Sequence, residues 1–496
     1  MKRSLFLFLL IGIFSPCFAQ TFSVEQAQSD FKFLRGMLEE AHPSIYWYTP
    51  KDSMDRAFEQ VFQQLNRPLT EKELFYLWAP LVTKINCGHT YLIHSQQFDA
   101  QKDDTFWLPF QSQIIGNKLF VKALGKNCSD TTLVRGTEIL QVNDIPMAHI
   151  IEVARQNCQA DGYNQTFKDY FLAFFRLEET LNDYFGLKAP YRILVKSPLG
   201  EVRESTVFSK HISQPNLPQP TLSKQELQNR EREALEKLRS FKLLPQAPET
   251  LLMTCNGFRY DDFKTFDQLV FQTARIKNIK NLIIDLRNNP GGDTSAGDDI
   301  LRYLLTKPTY NFLTFDSPVN QLFFAKQVAP APQDHVFNPK QLKKLQNGHY
   351  RRIVDGAELI MPHPTLHFSG QIYVLISGFT FSAAAILASL LKAHTNAIFI
   401  GQETGGGEAG CSGGLTSKVI LPHTQLVVNF PHFRMETNTK SPNIGHGVMP
   451  HYPIQITAQD IASGRDLELE KVVELILEVR QQASTQRKNA QIPKNQ

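Results

Sequence analysis

Two segments of the chain hold residue types that together can carry out acyl transfer. One is Asn281–Gly292, with the sequence NLIIDLRNNPGG, and the other is Gln371–His394, with the sequence QIYVLISGFTFSAAAILASLLKAH. Each pattern predicts a buried strand, a tight turn and a helix. The first turn offers glycine N–H groups, and the second places the hydroxyl of Ser382 where its helix begins. A hydroxyl beside oxyanion donors is the arrangement of a serine hydrolase.

The position of Ser382 also fits an ordinary capping residue. It follows a predicted strand, Ile372–Ile376, and a turn, Ser377–Phe381, and it precedes a strong helix former, Ala383–Leu391. A capping serine stabilises its helix by about 1 kcal/mol, and such serines far outnumber nucleophiles. The helix N-terminus agrees with both interpretations, because its dipole favours a nearby negative charge.

The glycines of the first turn likewise have two interpretations. A tight turn needs glycine wherever φ is positive, which is a purely structural reason for Gly291 and Gly292. In the functional interpretation, the N–H of Gly291 or Gly292 and the N–H of Ala383 form an oxyanion hole. One such donor typically contributes about 3 kcal/mol to the stability of the transition state.

A third glycine-rich segment is Gly401–Gly414, GQETGGGEAGCSGG, in which seven of fourteen residues are glycine. It follows a predicted strand, Ala397–Ile400, and it contains two acids, Glu403 and Glu408. We expect a flexible loop here, whose residues Gly405, Gly406 and Gly407 contact the backbone of a bound peptide. It is not a phosphate-binding loop, because no lysine follows the glycines.

A serine nucleophile needs a base, usually lysine or histidine. Lys392 lies within the predicted helix after Ser382, and Lys418 lies in or beside a strand. His89 occupies a Gly-His-Thr turn and has the most suitable local chemistry. His394 and His423 are closer in sequence to Ser382, at the predicted ends of a helix and a strand. Spacing alone does not choose among these five residues.

Length and composition indicate a globular protein of several domains. The chain has 496 residues, of which 42% are hydrophobic and 20% are charged, and its formal net charge is +4. That balance gives no electrostatic footprint for nucleic acid.

Residues 1–19 have the pattern of a signal peptide. Lys2 and Arg3 precede an apolar run, Leu5–Phe14, that is too short to span a bilayer. We expect cleavage before Gln20, which lowers the formal charge from +4 to +2. The mature protein is then periplasmic or secreted, without stable membrane insertion. Lipid attachment at Cys17 is the second choice.

Cysteine usage indicates no metal site. Five cysteines remain after residue 19, and none forms a CxxC pair. We expect most of them to be small buried apolar residues. If a disulfide forms, Cys128–Cys158 is the nearest pair. We also predict no cofactor.

The pattern along the chain predicts an α/β protein with added regions. Residues 20–105 look helical, 106–205 form a strand-rich module, and 206–245 form a charged helical connector. Strands and helices alternate over 246–455, interrupted by an insertion or lid at 309–367. Residues 456–496 form a closing helix and a disordered tail.

Two features of the strand-rich module are specific. A strand, Glu138–Val142, ends at an Asn143-Asp144 turn before a helix that starts near Met147, and an aromatic-rich helix is expected at Phe167–Phe185.

Several of these motifs occur in the order found in one enzyme family. They are DLRNNPGG (Asp285–Gly292), SGFTFSAAA (Ser377–Ala385), GQETGGG (Gly401–Gly407), CGHT (Cys87–Thr90) and GTEILQVND (Gly136–Asp144). The chain resembles the tail-specific, C-terminal-processing serine peptidases, peptidase family S41, and especially the branch with tricorn-like and retinoid-binding-protein-like members. The resemblance implies a crotonase-like (ClpP/crotonase) α/β core, an inserted PDZ-like module and Ser382 as nucleophile.

The resemblance also narrows the choice of base. In the tail-specific branch the base is a lysine, but Gly407 stands at that position here. In the tricorn-like branch it is a histidine from the N-terminal region, oriented by a glutamate. The resemblance therefore implies His89 as base and Glu403 as the acid, with Glu408 as the alternative. Tricorn-like members have a serine before the histidine, whereas this chain has Gly88.

The resulting expectation is an exported serine endopeptidase that acts on unfolded or tail-recognised polypeptides through an acyl-enzyme on Ser382. One alternative is a catalytically inactive member that binds an apolar ligand or a peptide, as retinoid-binding-like relatives do. Another is a hydrolase of small acyl substrates.

Overall fold

The computed structural model describes residues 20–100, 108–209, 225, 233–259, 263–329, 337–353 and 359–490. The predicted signal peptide lies outside the described residues, as does much of the predicted connector.

The N-terminal region is helical, as predicted, with three long helices, Val24–Ala41, Lys51–Gln63 and Glu71–Thr83, and a short one, Gln96–Asp99. The first begins at Ser23, whose hydroxyl accepts a hydrogen bond from the N–H of Gln26 at 3.3 Å. The side-chain oxygen of Gln26 in turn accepts a hydrogen bond from the Ser23 N–H. Two N–H groups that the start of a helix would leave unpaired are thus both satisfied. Two short strands, Thr21–Phe22 and Leu69–Thr70, pair antiparallel.

An antiparallel sheet forms the strand-rich module. Its strands, in spatial order, are Phe110–Ile115, Lys118–Leu124, Glu138–Val142, Tyr191–Lys196 and Val202–Val207. Ile145–Pro146 folds back on the third strand through Asn143 and Asp144, whose φ angles are 45° and 69°. Two positive φ angles are what a two-residue hairpin turn requires, so the predicted turn is confirmed. A helix, Met147–Gln156, follows.

The predicted aromatic-rich helix is present and irregular. Thr166–Phe171 and Leu177–Glu179 are α-helical, whereas Leu172–Arg176 and Thr180–Tyr184 are π-helical. π-helical turns are rare and occur often at functional sites.

The central element is a mixed six-stranded sheet, called here the core sheet. Its order is Arg239–Leu243, Thr250–Cys255, Asn281–Asp285, Gln371–Ile376, Ile398–Gly401 and Tyr452–Pro453. The first pair is antiparallel and the others are parallel. The first strand, Arg239–Leu243, lies within residues 206–245, which were expected to form a helical connector. It is a strand because it pairs with Leu251–Cys255 along the sheet edge.

Helices cover both faces of the core sheet. Phe263–Ile276, Thr294–Arg302 and Ala383–His394 pack on one face, and Leu467–Ala490 packs on the other. The last helix extends to Ala490, so the first part of the predicted disordered tail is helical. A short helix, Ala458–Ser463, precedes it.

A second, antiparallel sheet stands beside the core sheet. Its order is Val328–Ala329, Gly410–Ile420, Val427–Thr437, Phe312–Ser317, Tyr350–Arg352 and Leu342–Lys344. Tyr91–Ile93 also pairs with Val427–Thr437, and the N-terminal helices pack on this sheet.

The second sheet changes two expectations. Gly410–Gly414 was expected to be loop, yet it begins a strand, because the partner strand pairs with it from Glu436 to Phe433. Residues 309–367 were expected to be an insertion or lid. Four of the described strands in this range instead join the sheet: Phe312–Ser317 pairs with Val427–Thr437, Val328–Ala329 pairs with Gly410–Ile420, and the other two continue from Phe312–Ser317.

All five cysteines of the described chain are free and buried. Within the same residues, no helix is both long enough and apolar enough to cross a bilayer.

Candidate active site

Ser382 is the residue before the helix Ala383–His394, but it does not act as a cap. Its φ and ψ are 50° and −125°, and its side chain makes no capping hydrogen bond. A non-glycine residue in this region costs about 1–3 kcal/mol, and such residues cluster at functional sites. The hydroxyl is therefore turned away from the helix amides that a capping serine would bind.

Hydrogen bonds to the neighbouring turn hold Ser382 in this conformation. The hydroxyls of Ser377 and Thr380 donate to main-chain oxygens of the strand-to-turn segment 286–287, at 2.6 and 2.9 Å. The N–H of Phe381 donates to the carbonyl of Asn289 at 3.0 Å. The two turns found in the sequence are thus one bonded unit.

His89 is the hydrogen-bond partner of Ser382. Its Nε2 lies 3.1 Å from the Ser382 Oγ. Burial lowers the pKa of His89 to about 4, against a smaller opposing effect from the Ser412 carbonyl. The imidazole is therefore neutral at neutral pH, which is the state that accepts a proton from serine.

Packing on both faces fixes the His89 ring. The Phe381 ring stacks on one face, with centroids 4.8 Å apart. Gly413 lies against the ring, because a Cβ there would be 3.0 Å from the His89 Cε1. The side-chain amide of Asn429 also donates to the His89 carbonyl at 2.7 Å.

Gly88 has a steric reason for lacking a side chain. A Cβ at this position would lie 2.6 Å from Cζ of Phe381. The stacking ring therefore occupies the space where a serine before the histidine would stand.

The predicted oxyanion donors meet at the junction of the two turns. A Cβ on Gly291 would be 2.7 Å from the Ser382 Cβ and 2.8 Å from the Ala383 nitrogen. The Gly291 N–H, however, donates to Oδ1 of Asn289 at 2.9 Å. Among the described contacts, the N–H groups of Gly292 and Ala383 have no acceptor, so these two are the candidates for the oxyanion hole.

Glu403, the predicted acid, contacts other groups. Its Oε1 accepts from the Gly447 N–H at 2.8 Å and lies 3.4 Å from His446 Nδ1. Its described contacts do not include His89. Here the carboxylate holds the 446–447 segment.

Glu408, the alternative acid, is engaged as well. It pairs with Lys392 at 3.0 Å and accepts from Asn443 at 3.1 Å. This pairing also occupies Lys392, one of the candidate bases.

The described contacts of the other candidate bases do not include Ser382. His394 Nε2 bonds the Asn438 carbonyl at 2.9 Å. His423 lies in a loop that binds Asp30, and Lys418 is exposed.

The glycines predicted to bind substrate, Gly405–Gly407, are buried. The Gly406 N–H donates to the Thr380 carbonyl at 3.3 Å. A Cβ on Gly405 would be 2.2 Å from the Gly378 oxygen. In this structure Gly405 and Gly406 support the turn before Ser382, and their close approach to it explains why they are glycine, whereas a Cβ on Gly407 would be 2.5 Å from the Gly410 oxygen.

The structure adds one acid that sequence reasoning missed. Asp161 is buried, and its Oδ1 accepts from the Gly88 N–H at 2.7 Å. Burial raises the pKa of Asp161 to about 6. No motif marked it, because it lies 72 positions after His89 in an irregular segment and only tertiary packing brings the two together.

Asp161 is also part of a small group of donor atoms. One ring nitrogen of His89, the Asp161 carboxylate and the Cys411 thiol lie within 4.8 Å of one another. Nitrogen, oxygen and sulfur donors suit zinc. In the part of the chain that the structure describes, this is the one such group of three.

Residues 251–454 match the family model of peptidase family S41. The chain carries a peptidase family S41 domain. This confirms the family and makes the protein a serine-type peptidase. The S41 match covers the motifs around Asp285–Gly292, Ser377–Ala385 and Gly401–Gly407, whereas His89 and Asp161 come from outside it.

Mature CPAF shares the fold, and two further solved structures match with lower TM-scores. Mature CPAF is 17% identical with a TM-score of 0.61, over 92% of this chain and 97% of that chain. A peptidase structure from Parabacteroides merdae is 14% identical with a TM-score of 0.48, over 91% and 97%. The photosystem II D1 C-terminal processing protease is 13% identical with a TM-score of 0.45, over 89% and 98%. No curated protein matches the chain by sequence.

Proposed function

We propose that the protein is an exported serine endopeptidase that hydrolyses unfolded or tail-recognised polypeptides through an acyl-enzyme on Ser382. The observation that carries this proposal is the 3.1 Å contact between Ser382 Oγ and His89 Nε2. It joins a strained serine that caps nothing to a histidine that burial keeps neutral. It also supports the Ser-His branch of the family.

The proposed reaction follows from these positions. His89 Nε2 takes the hydroxyl proton while Ser382 Oγ bonds to the peptide carbonyl carbon. The N–H groups of Gly292 and Ala383 stabilise the oxyanion. The protonated imidazole then gives its proton to the leaving amine, and the carbon–nitrogen bond breaks. His89 then deprotonates a water molecule whose oxygen bonds to the acyl carbon. The imidazolium returns this proton to Ser382 Oγ as the carbon–Oγ bond breaks and the acid product leaves.

The finer architecture is part of the proposal. We interpret the core sheet with its covering helices as a crotonase-like core. The antiparallel sheet of 110–207 with the helix Met147–Gln156 supports a PDZ-like module. Backbone amides of such a module can take the C-terminal carboxylate of a substrate.

Exposed aromatic rings near Ser382 support unfolded polypeptides as substrates. Phe174 and Phe175 are 43% and 48% exposed. Their ring centroids lie 5.4 and 6.5 Å from that of Phe379, three residues before Ser382. We call Phe174, Phe175 and Phe379 the aromatic surface. It fits the apolar side chains that an unfolded chain exposes.

The alternatives have less support. A binding protein without activity does not need a neutral histidine on a strained serine. A hydrolase of small acyl substrates needs the same pair, so a panel of peptides and esters is required to separate it from an endopeptidase.

The test of the function is degradation of an unfolded protein by residues 20–496, run beside Ser382→Ala. We expect cleavage by the parent and none by the variant. Ser389→Ala is the matched control. This buried serine lies in the helix that follows Ser382, and its hydroxyl donates to the Ala385 carbonyl. Equal cleavage by parent and Ser382→Ala would assign the activity to another nucleophile, and a folded but inactive parent would favour the binding protein.

Export is tested separately. The full chain should appear outside the cytoplasm with Gln20 as its first residue, as measured by fractionation and intact mass. A chain that keeps residues 1–19, or a lipid on Cys17, would contradict this part.

A further inference from the structure

We propose that Asp161 is the positioning residue of the catalytic pair, its carboxylate accepting the Nδ1–H of His89 during proton transfer. The inference rests on the proposed function and assigns to Asp161 the role that the family resemblance implied for Glu403.

The first observation concerns His89. When Nε2 accepts the proton of Ser382, the neutral ring must carry its own proton on Nδ1. The Nδ1 atom is buried and has no hydrogen-bond partner among the described residues. A buried N–H without an acceptor costs about 1–3 kcal/mol, so the working site needs an acceptor there.

The second observation concerns Asp161. Its Oδ1 accepts from the N–H of Gly88, the residue before His89, and the nearby Gly407 amide lowers the pKa of the carboxylate. Its Oδ2 is buried and has no partner among the described residues. Asp161 Oδ2 is therefore a buried acceptor without a donor, and His89 Nδ1 is a buried donor without an acceptor.

Distance joins the two observations. The Asp161 carboxylate and one His89 ring nitrogen lie within 4.8 Å of each other. Nε2 faces Ser382, so we assign Nδ1 to the side of Asp161. Catalytic hydrogen bonds are often long in substrate-free sites and tighten when substrate binds.

The surroundings determine the charge of Asp161. Burial raises its pKa to about 6, and Arg434 and the two amides oppose this. The other titratable groups that face it are Cys87, Cys411 and Tyr48, and burial raises the pKa of each. At neutral pH these three are uncharged, so the carboxylate is negative beside a neutral imidazole. That charge stabilises the imidazolium that forms in the transition state.

Two other groups compete for this role. The first is the Ser412 carbonyl, which interacts with the His89 ring and raises its pKa, so it competes for the ring proton. A divalent cation such as Zn²⁺ held by His89, Asp161 and Cys411 is the second competitor. Both make different predictions from a positioning carboxylate.

The experiment compares Asp161→Asn with the parent on the same unfolded substrate. The asparagine Oδ1 still accepts from the Gly88 N–H, but its amide favours the wrong tautomer of His89. We expect kcat to fall about 10²- to 10⁴-fold with KM changed less than about threefold. The control is Asp169→Asn, an acid that pairs with Arg155 at 2.7 Å and should change kcat little.

The pH profile separates positioning from a general structural effect. In the parent, kcat/KM should rise through about pH 6 as Asp161 loses its proton. In Asp161→Asn this step should vanish, leaving the ionisation of His89 at lower pH. If the variant unfolds, as judged by circular dichroism, Asp161→Ser keeps an acceptor for Gly88 and takes its place.

The outcomes are distinct. Full activity of Asp161→Asn in an active parent overturns the inference and favours the Ser412 carbonyl, while a larger loss with Glu403→Gln favours the acid expected from the sequence. Activity that a chelator removes and Zn²⁺ restores, with equal loss in Cys411→Ser, shows a metal site instead. A parent that cleaves nothing refutes the proposed function itself.

Discussion

The conformation of Ser382 separates a nucleophile from a cap. Ser23 and Thr70 cap their helices with φ of −66° and −75°, and their hydroxyls accept from helix amides. Ser382 has a φ of 50° and gives its hydroxyl to His89. The strain is maintained by the hydrogen bonds of the turn before it. The helix after Ser382 therefore lacks a side-chain cap, and the Ser382 Oγ faces His89 instead.

Gly413 should control the position of the His89 ring. A methyl group at residue 413 would lie 3.0–3.2 Å from three ring atoms and push the imidazole. We expect Gly413→Ala to lower kcat/KM about 10- to 100-fold, because small displacements of catalytic groups are costly. Thermal unfolding should change little. Gly36→Ala is the control, since a Cβ there meets nothing within 4 Å. Unchanged kinetics would show that the ring has room to shift.

At the residue scale, the sequence identified those candidate site residues that lie in short motifs. Ser382 and His89 stand in short local patterns, and the structure brings them together. The acid is different, because its position depends on tertiary packing. The resemblance implied Glu403, whose carboxylate bonds Gly447, and no local motif marks Asp161. The strained φ of Ser382 also depends on bonds to a turn about ninety residues away.

Among the elements, the helical segment 166–184 connects the surface to the site. Phe167 packs on Phe381 with centroids 4.4 Å apart, and Phe381 in turn stacks on His89. Phe174 and Phe175 extend the same aromatic contacts to the surface. This element therefore both supports the histidine and offers the aromatic surface.

We expect Phe174→Ser with Phe175→Ser to weaken recognition of polypeptides. Covering a fully exposed Phe contributes about 1.5–3 kcal/mol, and these rings are half-exposed. The ratio of kcat/KM for an unfolded protein to that for a short ester should fall about tenfold. Ile276→Ser is the control. Ile276 is exposed and comes just before the strand Asn281–Asp285, so it lies at the end of the core sheet opposite the turns. An equal fall for both substrates would mean that the change disturbs the catalytic pair instead.

Local pattern predicted most elements, because helix periodicity and turn residues act within a few positions. The hairpin at Asn143-Asp144 and the helix after Ser382 are examples. The elements that the local pattern did not predict are strands that form because they pair with neighbouring strands. Gly410–Gly414 has few side chains to show an alternating pattern, and Arg239–Phe241 follows a charged helical sequence.

At the scale of the whole molecule, three regions meet at the site. The core sheet supplies Ser382, and the N-terminal helical region supplies His89. Asp161 comes from within the strand-rich module, in the segment between its helices Met147–Gln156 and Thr166–Phe171. The second sheet joins them, since its strands contact His89 through Gly413 and Asn429. Activity therefore depends on how firmly the N-terminal helices dock on that sheet.

Asp30 is the polar anchor of this docking. It is fully buried, and its carboxylate accepts from the N–H groups of His423 and Thr424 and from the Thr424 hydroxyl, at 2.7–3.1 Å. Asp30→Ala leaves these buried donors unpaired, so the free energy of unfolding should fall by about 3 kcal/mol. The same variant should lower kcat/KM below the unfolding temperature, because the region that carries His89 loosens. Glu40→Ala, an exposed acid in the same helix, should change stability by less than about 0.5 kcal/mol. Urea unfolding beside kinetics measures both, and a destabilised variant with unchanged kinetics would show that His89 is held by the second sheet alone.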